Sequence, residues 1–148
     1  MGKEILILNG PNINLLGTRE PEIYGHETLA DIEIQCVEYA ASLGLHATCF
    51  QTNNEGEMID YIHKSVKNIQ AIIINAGGWT HTSVALRDAL LGTPVKQLIE
   101  VHISNIFARE EFRHFSYISD IATGVICGLG TQGYFSAIKA ISNKIQDD

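Results

Sequence analysis

Glu100 and His102 stand two residues apart at the end of a strand-like segment, residues 95–101. In an extended chain such a pair points to the same face. The carboxylate can therefore hold the imidazole and set which ring nitrogen carries the proton, as in acid-base dyads. A strand-end histidine making only a local hydrogen bond would show the same spacing. His81 lies at or just before a helix start in Gly77-Gly78-Trp79-Thr80-His81-Thr82-Ser83, where unpaired backbone N–H groups favour anions. An ordinary capping segment shares that pattern. Tyr24 is a poor base unaided, because a pKa near 10 leaves about one part in a thousand ionised at pH 7. A guanidinium changes this: Arg19 held about 5 Å away, at an effective dielectric near 20, contributes roughly 3 kcal/mol, or about two pKa units. His102 and Tyr24 thus offer a general acid and a strong base, without fixing the reaction.

These groups sit where strands end. Ile5-Leu6-Ile7-Leu8 has no polar alternation and reads as a strand covered on both faces, closed by Asn9-Gly10-Pro11. Residues 10–27 then show no clear helical or period-two pattern, and a connection that long in a small domain is usually functional. Thr28-Leu29-Ala30-Asp31 starts a helix whose buried stripe is Leu29, Ile32, Cys36, Ala40 and Leu43, with Gly44 as the stop. Residues 46–51 form a second strand. Met58, Ile59, Ile62 and Val66 mark the next helix, with His63 partly exposed on it.

Ala71-Ile72-Ile73-Ile74 is another doubly buried strand, ending at Asn75-Ala76-Gly77-Gly78. A helix from about Thr82-Ser83 to Gly92 follows, then the strand 95–101, an irregular segment holding Arg109 and Arg113, and a fifth strand, Gly124 to Cys127. Phe135, Ile138, Ile141 and Ile145 stripe the last helix. Five strands alternating with four helices predict an α/β, flavodoxin-like, doubly wound parallel sheet of order 2-1-3-4-5. In that order the loops 10–25, 75–88 and 100–113 converge, which predicts one site built from all three.

At 148 residues the chain suits one domain, 1–148, and is too short for a β/α barrel of roughly 250 residues. A formal charge of -7 makes nucleic acid an unsuitable partner, while a small anionic substrate requires locally gathered positive charge. All four arginines, Arg19, Arg87, Arg109 and Arg113, lie in or beside the three loops, and the arginine fork suits carboxylates. Helix-end charges and surface ion pairs are the alternative for any one of them. Cys36, Cys49 and Cys127 are odd in number, far apart and set among apolar neighbours, so they read as reduced core residues. No apolar run reaches the ~18 to 20 residues of a membrane span, and Met1-Gly2-Lys3-Glu4 has no signal-peptide anatomy, so a cytoplasmic location is expected.

No Gly-Lys-Ser/Thr and no G-x-G-x-x-G after the first strand argues against Walker or dinucleotide loops, and no His or Cys pair has metal-ligand spacing. The residues themselves leave open an enzyme, a flavodoxin-like module binding flavin or phosphate, or a structural subunit. A specific resemblance favours the first. Asn9-Gly10-Pro11-Asn12, Leu15-Leu16-Gly17, Arg19-Glu20-Pro21, Tyr24-Gly25, Thr80-His81-Thr82-Ser83-Val84-Ala85-Leu86-Arg87-Asp88, Glu100-Val101-His102-Ile103-Ser104-Asn105 and Arg109-Glu110 closely resemble the type II 3-dehydroquinate dehydratases.

The resemblance spans essentially the whole chain. It implies dehydration of 3-dehydroquinate to 3-dehydroshikimate by trans elimination through an enolate, without metal or organic cofactor. It assigns Tyr24 as the tyrosinate base at C2, Arg19 as the group that lowers its pKa, and Asn12 as holder of a water on the enolate oxygen. His102, oriented by Glu100, would protonate the departing C1 hydroxyl. Asn75, His81 and Arg113 would bind substrate hydroxyls, and the N–H groups of Ile103 and Ser104 the carboxylate. A homododecamer built as a tetramer of trimers is implied, with Asp88 reaching a neighbouring subunit's site and the first loop acting as a lid. Ala76, Trp79, Phe107 and Phe115 depart from the commonest family pattern, where proline, tyrosine and histidine are frequent. None replaces a proposed catalytic group. They bear on loop rigidity and on contacts around the site.

Overall fold

Alternation along the strands divides the apolar residues between two cores, one on each face of the sheet. In the computed structural model, which describes residues 3–18, 22 and 25–147, Ile5 and Ile7 of β1 (Lys3–Asn9) face one core. Leu6 and Leu8 face the other. In β3 (Ile69–Asn75), Ala71 and Ile73 alternate likewise with Ile72 and Ile74. These residues are at most 2 % exposed, so the patternless runs in the sequence are strands covered on both sides.

The remaining elements follow in alternation: α1 (Leu29–Ser42), β2 (Leu45–Gln51), α2 (Glu55–Ser65), α3 (Val84–Leu91), β4 (Gln97–His102), β5 (Gly124–Cys127) and α4 (Gln132–Asp147). All strand pairs are parallel and the order is β2-β1-β3-β4-β5, as the sequence predicts. Helices α1 and α4 cover one face through Ile32, Cys36, Tyr134 and Ile138. Helices α2 and α3 cover the other through Met58, Ile62, Leu86 and Leu90. Burying each such side chain contributes about 1.5–3 kcal/mol, so the faces are strongly specified. Thr28 and Asp31 cap α1 reciprocally, the Thr28 hydroxyl accepting the Asp31 N–H at 3.2 Å and the Asp31 carboxylate accepting the Thr28 N–H at 3.1 Å.

Differences from the sequence reading have local causes. Strand β3 is longer than the apolar run 71–74, because parallel pairing with β1 continues to Glu4↔Ile69 and Asn9↔Asn75. Strand β4 starts at Gln97 rather than Val95. Helix α3 starts at Val84, where the Ser83 hydroxyl accepts the Leu86 N–H at 2.9 Å, and His81 falls in a preceding 3-10 turn, Gly77–His81. The first loop contains a 3-10 turn, Ile13–Leu15. Of the three cysteines, all free, only Cys36 is fully buried. Cys49 and Cys127 are half-buried because β2 and β5 are the sheet's edges. Burial pushes the Cys36 and Cys49 thiols up to about 12, so both stay protonated. Among the described residues, no helix is long and apolar enough to cross a membrane.

Candidate active site

Strands β1, β3 and β4 run side by side and end at the same edge, so the loops that leave them face one another. Between these loops lies a cleft of about 260 Å³. The first loop lines it with Pro11, Asn12, Ile13, Leu15, Leu16 and Gly17; the second with Asn75, Gly77, Gly78 and His81; the third with His102, Ile103, Ser104, Ile106, Arg109 and Arg113. This edge, beside the point where strand order reverses, is where open α/β sheets bind ligands.

Its floor is the end of β4. Glu100 is 0 % and His102 4 % exposed, and the His102 Nε2–H donates to Glu100 Oε2. The ring's other nitrogen, Nδ1, is not engaged by Glu100. The Ser119 hydroxyl donates to Glu100 Oε1 at 2.6 Å, and the Ser116 hydroxyl lies 3.1 and 3.2 Å from the two carboxylate oxygens. Burial pushes the Glu100 carboxyl up, but the hydrogen bonds from His102, Ser119 and Ser116 outweigh it and hold the group below its ordinary value. Glu100 is therefore a buried carboxylate whose lone pairs are satisfied, the condition under which a buried ion pair is tolerated.

His81 enters the cleft from the second loop. Its Nδ1 lies 2.7 Å from the Phe115 carbonyl oxygen, which can only accept, so Nδ1 carries the proton. The bond uses the backbone of Phe115, so the aromatic side chain at that position leaves it unaffected. The His81 and His102 ring centroids are 6.4 Å apart, with planes inclined by 17°. Asn75 is fixed at both ends of its amide: Nδ2 donates to the Tyr134 hydroxyl at 2.9 Å and Oδ1 accepts the Gly77 N–H at 3.3 Å. Tyr134 in turn donates to Asn9 Oδ1 at 2.5 Å, so a buried chain of three polar groups sets Asn75.

Asn12 is left-handed, with φ 72°. Asparagine tolerates that conformation better than most residues. The Asn53 side-chain oxygen accepts the Asn12 N–H at 2.9 Å, and Gln51 donates to that same oxygen at 3.1 Å, which holds Asn12 at the rim. Two glycines let the loops come this close. A Cβ on Gly10 would stand 2.4 Å from the Ala76 carbonyl oxygen, so the first and second loops touch through backbone. Gly17, at φ 83°, packs its α-carbon against the Glu27 carbonyl and closes the base of the first loop.

Arg113 lines the cleft with its Nε–H donating to Glu110 at 2.6 Å and its guanidinium 5.2 Å from the Phe112 ring centroid. Ile103 and Ser104 line it immediately after His102, their segment held by Gly128 N–H to the His102 carbonyl (3.1 Å) and Gly130 N–H to the Ile103 carbonyl (3.0 Å). Asp88 is exposed on α3 and is not part of this cleft. Arg87 is not part of it either; it donates to both oxygens of Asp120, at 2.5 and 3.0 Å. Arg19 and Tyr24 lie outside the described residues. Sequence reasoning missed Ser116, Ser119, Tyr134, Asn53 and Gln51. Each lies far along the chain from the residue it supports, and no spacing signal links the pairs.

The fold and the site define an open α/β protein with a buried histidine-carboxylate pair at the floor of a polar cleft. Residues 3–142 match the model of the family described as dehydroquinase class II. A 3-dehydroquinate dehydratase from Afipia carboxidovorans is 54% identical over 146 residues, covering 98% of this chain and 96% of that protein. A catabolic 3-dehydroquinase 1 from Aspergillus fumigatus is 56% identical, covering 96% and 94%. The crystal structure of a type II dehydroquinase from Propionibacterium acnes superposes with a TM-score of 0.90 at 45% identity, covering 97% of this chain and 98% of that one. The chain belongs to the class II dehydroquinases.

Proposed function

We propose that this chain, as a single domain, dehydrates 3-dehydroquinate to 3-dehydroshikimate by trans elimination through an enolate. The observation that carries the mechanism is the buried Glu100–His102 pair opening onto a cleft shared with Asn12, Asn75, His81 and Arg113. Tyr24, as tyrosinate beside Arg19, removes the C2 proton next to the ketone. Asn12 holds a water on the enolate oxygen that forms. His102 then protonates the C1 hydroxyl, which leaves as water while the C1–C2 double bond closes. Asn75, His81 and Arg113 bind hydroxyls, and the backbone N–H groups of Ile103 and Ser104 take the carboxylate. No step needs more than side-chain proton transfer. Relatives carry both general and catabolic names, and the same reaction serves the shikimate and quinate pathways.

Adding 3-dehydroquinate to the purified protein should produce the ultraviolet absorbance of a conjugated enone. Well-folded protein that gives no rise sinks the assignment. Tyr24→Phe should abolish most turnover, and near-normal turnover would remove the tyrosinate from the scheme. The exposed position of Asp88, away from its own cleft, suits a residue that serves a neighbouring subunit in a homododecamer. Light scattering reporting an active monomer would contradict that assembly. The free cysteines suit a cytoplasmic, reducing location, which fractionation of cells would test.

A further inference from the structure

Three donors converge on the fully buried Glu100 carboxylate, and two of them come from outside β4. Ser116 and Ser119 belong to the connection between β4 and β5 and do not line the cleft. The Ser116 hydroxyl also accepts the N–H groups of Ile118 and Ser119, each at 3.0 Å, and so closes a turn. The Ser119 hydroxyl is directed at Glu100 alone. The segment is fastened in place by Arg87 of α3, which donates to the Tyr117 carbonyl at 2.8 Å and grips Asp120. The Tyr117 N–H donates to the Thr80 carbonyl at 2.8 Å, next to His81.

We propose that Ser119, assisted by Ser116, is a positioning residue that keeps the Glu100–His102 pair ionic, with the shared proton on the ring. A carboxylate buried against one imidazole has an escape from its desolvation cost. The Nε2 proton of His102 can pass to Glu100 Oε2, which leaves a neutral carboxylic acid and a neutral ring. That form presents at Nδ1 a far weaker acid than imidazolium. A hydroxyl donor stabilises the ionised carboxylate selectively, so each serine biases the pair toward the form that can protonate a leaving group. The direction of the Glu100 shift, downward despite burial, agrees. Among the described residues, the other charges nearby are paired or stand across the ring of His102: Arg87 and Asp120 neutralise one another, Arg109 and Arg113 share Glu110, and His81 faces the ring of His102.

The turnover arm of the test rests on the dehydration reading; the spectroscopic arm does not. In Ser119→Ala, the Glu100 carboxyl carbon followed by NMR should titrate about one pH unit higher, and kcat for 3-dehydroquinate should fall by up to about tenfold on the acidic side, below about pH 4.3, with kcat at pH 7 and KM little changed. The acidic limb of the kcat profile should rise by about the same unit. Ser119→Thr, which keeps the hydroxyl, should restore both readouts. Ser116→Ala should move the carboxyl titration the same way by less, since its bonds are longer. An unshifted carboxyl titration in Ser119→Ala overturns the proposal, as does a loss of kcat equal at every pH. An inactive wild-type protein would overturn the dehydration reading instead, and the carboxyl titration would still decide the role of Ser119.

Discussion

His102 and His81 share one cleft, with nearly parallel rings 6.4 Å apart, but their second nitrogens are treated differently. His102 gives its Nε2–H to a buried carboxylate. His81 gives its Nδ1–H to a neutral backbone carbonyl at 2.7 Å. A carboxylate compensates a positive ring, and a charge-assisted bond of this kind is roughly twice as strong as a neutral one. A carbonyl orients the ring and fixes its tautomer without supplying a full charge. The first arrangement suits a group that must hold and release a proton during the reaction. The second leaves Nε2 as a fixed acceptor, suited to a substrate hydroxyl. Under the proposed mechanism, the two identical side chains are divided by their partners into an acid and a binding group.

The sharpest way to break this division is to remove each ring in turn. His102→Ala should lower kcat by about a hundred- to ten-thousandfold, the range for loss of a general acid. Circular dichroism should show the fold retained. If His81→Ala lost as much kcat as His102→Ala, the two histidines would not have separate roles.

A smaller effect is expected from Glu100→Gln, which keeps the shape behind His102 and removes the charge. It should lower kcat about ten- to a hundredfold, because the ring loses the partner that compensates its positive charge. The amide also brings an N–H₂ group toward the donors of Ser119 and Ser116, which should cost about 1–3 kcal/mol of stability at pH 7. The pH dependence of that cost has a definite sign. Since folding lowers the Glu100 pKa, its contribution is complete above the ordinary glutamate value of about 4.3 and is lost as pH falls through the folded value. Glutamine does not titrate. Urea unfolding should therefore show a wild-type advantage at pH 7 that shrinks below about pH 4.3. An advantage that is constant through that range would mean that Glu100 is not held ionised by its neighbours.

How legible this was from the chain depends on how far apart the interacting residues lie. The order of the sheet followed from runs such as Ile5–Leu8 and Ala71–Ile74, because burial on both faces leaves a local mark in the sequence. The Glu100–His102 pairing was equally legible, since strand alternation fixes the relation of residues two apart. The convergence of three loops on one cleft follows from strand order. The supports of the site were not legible. Tyr134 reaches Asn75 across 59 positions, and Asn53 reaches Asn12 across 41. Serine and asparagine at such positions are ordinary loop residues until the fold brings them to a partner. The limits of α3 were legible to within a residue, with Ser83 as its cap and Gly92 as its stop, whereas the 3-10 turn Gly77–His81 before it has no periodicity to announce it.

The smallest effect should come from His81, and its form tests the comparison most finely. If His81 only accepts a hydroxyl, His81→Ala should raise KM for 3-dehydroquinate about two- to tenfold, the worth of one neutral hydrogen bond, and lower kcat by less. His81→Gln distinguishes position from titration, because a glutamine amide can accept a hydroxyl but cannot change charge between pH 5 and 8. It should recover part of the lost affinity and leave the kcat profile with the same limbs as the wild type. A limb that vanished in His81→Gln would show that His81 exchanges a proton during turnover. The Phe115 carbonyl would then be doing more than orienting the ring, and the division between the two histidines would rest on the burial of His102 rather than on the charge of its partner.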